Sequence, residues 1–238
     1  MKNPLRAISK DESLSFRFTL PIVAENVLTI FIGLLFSRII STISASALAA
    51  IGMSNTVMAV VSALFSVVTT GAAVLVSRQI GAQDGLGAAE TIEQSLFLAL
   101  VSSLALTALC MRTAQPMLRL LMPTADDQLF GEAMRYYQML LLSLPFLTVH
   151  SVLSTVARSM GDSRNPMLVA LLMNLCQLAF AYLLISVLHL EETGAGLAYV
   201  FCRLLGAGLM LAVLLRNHKY FVLHLRNLLH PHLRTIAR

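Results

Sequence analysis

Residues 47–76 read ALAAIGMSNTVMAVVSALFSVVTTGAAVLV, without one Asp, Glu, Lys or Arg. A helix that crosses a bilayer needs about 20 apolar residues at a rise of about 1.5 Å each. This run exceeds that, with length left over to tilt or protrude. In hydrocarbon every backbone N–H and C=O has to be satisfied internally, which permits only helices or closed barrels. The run is too long for a barrel strand and lacks the strict alternation of one. It therefore reads as a transmembrane helix.

Five further stretches read the same way, over residues 18–40, 92–111, 136–157, 166–188 and 194–215. The whole chain has 238 residues, 57% hydrophobic and only 12% charged. A soluble domain carries about 25% charged residues, so most of these side chains do not face water. The expected fold is an all-α integral membrane bundle of six transmembrane helices. Residues 1–17 form a polar amino-terminal segment, 18–215 the six-helix lobe, and 216–238 a basic cytoplasmic tail, either an amphipathic surface helix by its spacing or a disordered basic segment. Pairs of small residues mark expected helix contacts: Gly52 with Ser54, Gly71 with Ala72, and Gly206 with Gly208.

The net charge of +5 lies between the spans, which fits topogenic charge and anionic lipid headgroups better than nucleic acid. With the amino terminus inside, twelve Lys and Arg fall on the cytoplasmic side and four (Arg38, Arg112, Arg119, Arg135) on the other. The positive-inside rule then places both termini in the cytoplasm. The expected location is a bacterial plasma (inner) membrane. Cys110, Cys176 and Cys202 all lie in apolar stretches without metal spacing and read as small apolar side chains. His218, His224, His230 and His232 in the tail lack an accompanying carboxylate and metal-ligand spacing. No nucleophile elbow, phosphate loop or catalytic carboxylate pair is present, so the chain reads as a non-enzyme without a cofactor. The glycine-rich run from Gly81 to Gly87 follows a span rather than a strand and reads as a cytoplasmic turn.

Two charges lie well inside the spans, Glu25 in the first and Arg203 near the middle of the sixth. Each costs about 2.5–3.5 kcal/mol on insertion scales and is expected to face the bundle interior. Counted by helical rise, their depths differ by roughly 6 Å, a gap that a long Arg side chain spans. Glu25 and Arg203 are thus expected to pair or to share a wet cavity. Glu25 is then either a protonatable coupling group or half of a static ion pair. Asn26, Asn55, His150, Asn174, Gln177 and Tyr199 are the further candidate cavity-lining residues. Asn174 and Gln177 share a face of helix 5, and an imidazole at His150 suits a proton relay. Interhelical cross-linking is the alternative for the amides, and plain packing for the histidine.

Several segments resemble the amino-terminal lobe of multidrug and toxic compound extrusion (MATE) transporters. They are Leu20-Pro21, Ala47-Leu48-Ala49-Ala50-Ile51-Gly52, the run from Gly71 through Ser77-Arg78-Gln79-Ile80-Gly81 to Asp84, Arg158-Ser159-Met160-Gly161-Asp162-Ser163-Arg164-Asn165-Pro166-Met167, and Gly194-Ala195-Gly196-Leu197-Ala198. The resemblance implies two six-helix lobes around a central cavity, of which this sequence supplies one and stops within the expected linker. It implies export of organic, often cationic, compounds by alternating access, driven by a sodium or proton gradient. Family polar positions in helices 1, 5 and 6 fall on Phe36, Asn174, Leu178 and Tyr199, so only the Asn is retained. The expected partners are the lipid bilayer, a small organic substrate, and either a second copy in a homodimer or a separate six-helix lobe. The alternatives are a transport-incompetent lobe serving as an assembly or regulatory subunit, an inactive remnant, or a flippase for lipid-linked substrates.

Overall fold

The computed structural model describes residues 4–41 and 45–217, and the side chains within them from residue 22 onward except 42–47, 68 and 217. Six helices follow one another: α1 (Pro4–Ile40), α2 (Ala45–Gly81), α3 (Gly85–Leu121), α4 (Asp127–Ser159), α5 (Arg164–Tyr182) and α6 (Glu191–Asn217). A π-helical turn, Leu183–Val187, closes α5. All six are long and apolar enough to cross a membrane. The expected tail helix and its histidines lie outside the described residues.

Helices α2, α3, α4 and α6 outrun their apolar stretches at both ends, and α1 and α5 at their starts, because hydropathy reports membrane depth whereas capping decides where a helix ends. Helix α1 continues through the polar segment back to Pro4, and α3 runs on past Met111 across Pro116 to Leu121. At the starts, the Asp84 carboxylate accepts from Gly87 N at 2.9 Å and Asp126 from Leu129 N at 3.2 Å, filling orphan donors of α3 and α4. At the ends, Arg38, Arg78, Arg119, Arg158 and Arg216 sit in last turns, opposite the negative pole of the helix dipole.

The turns that follow α2 and α4 end their helices differently. Gly161, just past α4, takes the left-handed conformation at φ 85°. Gly81 stays helical, and Gln83 is the left-handed residue, at φ 59°. The expected turn over 81–87 is therefore shorter, since α3 already begins at Gly85.

Helix α4 is the hub, packed against α2, α3 and α6. In its spanning window 56% of residues are buried, against 11% for α1, which leans mainly on α5 and only sparingly on α2. One apolar cluster gathers Tyr136, Tyr137, Leu140, Leu141 and Leu144 of α4 with Phe36, Ile40, Val57 and Phe65. A second, nearer the other end of α4, joins Val152, Leu153 and Val156 to Val76, Ile92, Val169, Met210 and Leu214.

The expected small-residue contacts are corrected in part. Ser54 is buried, and its hydroxyl reaches Ala133 O of α4 at 3.3 Å. Ala72 and Gly206 are also buried, but Gly52, Gly71 and Gly208 have open space where a Cβ would be. The tight crossing of α4 and α6 lies instead at Gly196, where a Cβ would stand 2.7 Å from Met139 Cβ.

Candidate functional site

Arg203 stands mid-way along α6, where its guanidinium touches its own helix and α5. Nη2 donates to Tyr199 Oη at 3.1 Å one turn back, and the charge lies 4.6 Å from the centre of the same ring. Nη1 approaches Met173 Sδ of α5 at 3.8 Å. Nε is buried without a hydrogen-bond partner. On α4, His150 is 7% exposed, and its Nδ1 lies 3.4 Å from Ser154 Oγ. Its Nε2 is likewise buried and unpartnered. The backbone of Gly206 lets these groups approach, because a Cβ there would collide with Met173 Sδ and stand 3.2 Å from His150 Cδ2.

Polar contacts continue on both sides. Asn174 Nδ2, next to Met173, donates to Thr29 Oγ1 of α1 at 3.2 Å. Tyr136 of α4, fully buried, shares a side-chain hydrogen bond with Asn55 of α2 and feels both Tyr199 and Arg203. A polar seam thus passes through α1, α2, α4, α5 and α6, bordered by the two apolar clusters. Arg203, Tyr199 and Asn174 are half-buried in it, whereas Asn55 and Thr29 are exposed; Gln177 is half-buried on α5.

The expected pairing of Glu25 with Arg203 is corrected. Glu25 Oε2 accepts from Arg158 Nη1 at 3.3 Å, at the last turn of α4. Counting depth along two helices gave comparable levels but not the facing helix, and α1 faces the end of α4 here. Both side chains are part-exposed, 22% for Glu25 and 30% for Arg158. Asn26 folds back on its own helix, donating to Ile22 O at 2.8 Å, and is exposed. Arg158, Thr29, Tyr136 and Met173 join the site without having been singled out in the sequence. Arg158 was legible there only as the first residue of a family-like segment, and Met173 only as an apolar residue. At the opposite end of α4, Arg135 and the buried Glu192 of α6 form a second ion pair.

Phe36 packs into the first apolar cluster and Leu178 lies against it, so neither position offers a ligand. Residues 21–183 match the MatE family. The chain belongs to the MatE family. It is 26% identical over 208 residues to a probable multidrug resistance protein, NorM, of Thermotoga maritima, covering 86% of this chain and 44% of that one. It is also 26% identical over 222 residues to an uncharacterised transporter, YisQ, of Bacillus subtilis, covering 91% and 48%. The fold matches an outward-facing MATE transporter of the MOP superfamily with a TM-score of 0.82 at 22% identity, over 93% of this chain and 50% of that one. It matches equally, at 0.82 and 22%, a MOP-superfamily transporter from Pyrococcus furiosus described as having a binding pocket of reversed polarity, over 90% and 47%. The MatE-family lobe therefore spans about half the length of the curated relatives it matches. Its six apolar helices make it an integral, multi-pass membrane protein.

Proposed function

We propose that this lobe pairs with a second six-helix lobe, either another copy or a separate chain, to export organic compounds by alternating access. The observation that carries the reading is the polar seam across five helices of a lobe that matches half of a MATE transporter. Polar groups inside a membrane bundle are costly and concentrate where substrates and ions pass. The excess of Lys and Arg on one side supports an orientation with both termini in the cytoplasm.

A sodium or proton gradient supplies the driving force in this reading. Phe36 and Leu178 bring no carboxylate, and Glu25, in the first span and paired with Arg158, is an acidic group placed to respond. Protonation of Glu25 would free Arg158 and loosen α1 from the end of α4. Two lobes of six spans each share an orientation, so a parallel homodimer satisfies the topology. Reconstitution into liposomes with a fluorescent dye under an imposed sodium or proton gradient tests the proposal. Gradient-dependent dye flux is expected from the chain alone or from the chain with a partner lobe. No flux in either arrangement would refute it.

A further inference from the structure

We infer that the Arg203–His150 cluster receives the negative group of an amphiphilic organic anion, so that this lobe favours acidic over cationic compounds. The inference rests on the exporter reading and adds its substrate class. Arg203 brings a full positive charge to the middle of α6, and among the described residues no carboxylate pairs with it. Apart from Glu25, which is held by Arg158, the described carboxylates lie in the opening turns of α3, α4 and α6 or in the turns just before α3, α4 and α5. An unmatched, half-buried cation invites an anion, and a planar guanidinium suits a carboxylate or phosphate through paired hydrogen bonds.

Two buried nitrogens without partners, Arg203 Nε and His150 Nε2, lie in the same neighbourhood around Met173 and Gly206. When Ser154 donates to His150 Nδ1, the ring proton sits on Nε2, which becomes a second donor. Met173 and the Tyr199 ring supply the apolar and aromatic surface for the rest of the molecule. A cationic compound in this place would meet like charge.

The test is fluorescence titration of the purified full chain in detergent with dansylglycine, dansylglycinamide and dansylethylenediamine, which are anionic, neutral and cationic on one fluorophore. Dansylglycine is expected to bind at least about tenfold more tightly than the other two, as befits hydrogen bonds to a charged group. Arg203→Gln should erase that preference and Arg203→Lys should keep part of it. Equal or tighter binding of the amide or the amine by the unmodified chain overturns the inference, even if Arg203→Gln fails to fold. So does a preference that survives Arg203→Gln. Competition with octanoate and with dihexanoylphosphatidic acid separates a soluble organic acid from an acidic lipid as the source, and displacement by neither also overturns it. Binding is read without a gradient. A failure of transport in liposomes therefore leaves this result standing, and a flat dansyl series leaves the transport reading standing.

Discussion

Replacing Gly196 with Ala tests the central crossing of the lobe. A Cβ at Gly196 would lie 2.7 Å from Met139 Cβ and 2.9 Å from Met139 Cγ. Carbon atoms rest at about 3.5–4.0 Å, so α4 and α6 must separate locally by about 1 Å. A flexible side-chain tip would swing aside at little cost. Met139 Cβ is fixed to the α4 backbone, so the helix itself has to move, across the interface on which the hub depends. Overpacking of this kind costs about 1–3 kcal/mol. For a chain of this size that corresponds to a fall in Tm of about 2–12 °C. Gly52→Ala is the control, since nothing lies within 4 Å of its Cβ position and Ala is the better helix former by about 1 kcal/mol. Thermal unfolding of both variants in the same detergent should show Gly196→Ala clearly destabilised and Gly52→Ala unchanged or stabilised. Equal melting temperatures would refute the placement of the α4–α6 contact.

Glu25→Gln should cost no more than about 1 kcal/mol, because the pair with Arg158 is part-exposed, yet it should abolish the response of transport to an imposed proton gradient. Unchanged gradient dependence in the liposome assay would remove Glu25 from coupling. Exchanging the two charges, Glu25→Arg with Arg158→Glu, should recover more melting temperature than either single change predicts. Asp84→Ala removes the acceptor for Gly87 N and should cost about 0.5–2 kcal/mol, read as a lower Tm. Arg135→Ala strands the buried Glu192 carboxylate and should cost about 1–3 kcal/mol, whereas Arg135→Lys should restore part of that in the same melting experiment.

The six spans were legible because charge is excluded from hydrocarbon, and the run over 47–76 leaves no other reading. Which face of each span meets a neighbour was not legible. In water an apolar stripe marks the buried face, but in a bilayer lipid and helix are equally apolar surroundings. Gly52 and Gly196 therefore look alike in sequence although one faces open space and the other α4. The same blindness paired Glu25 with Arg203 instead of Arg158. Asn174 was recognisable as a polar group in a span, but its partner Thr29 carried no signal on a helix whose depth register was free.

The polar seam gains meaning from the sign of its charge. The family resemblance puts acidic or polar groups where this chain has Phe36, Leu178 and Tyr199, and the first two pack into or against an apolar cluster. Removing carboxylates alone would leave a neutral lobe that holds organic molecules by shape and apolar contact. Here a guanidinium also occupies the middle of α6, one turn from Tyr199 and within reach of its hydroxyl. A cation entering beside Arg203 would lose hydration and gain no counter-charge. An anion would gain both the guanidinium and the His150 donor. The loss of the acidic positions and the presence of Arg203 thus act in one direction. Placing a carboxylate beside the guanidinium, as in Tyr199→Glu, should weaken dansylglycine binding by neutralising Arg203. If Tyr199→Glu leaves that affinity unchanged while the variant still folds, Arg203 is not the charge that the anion meets.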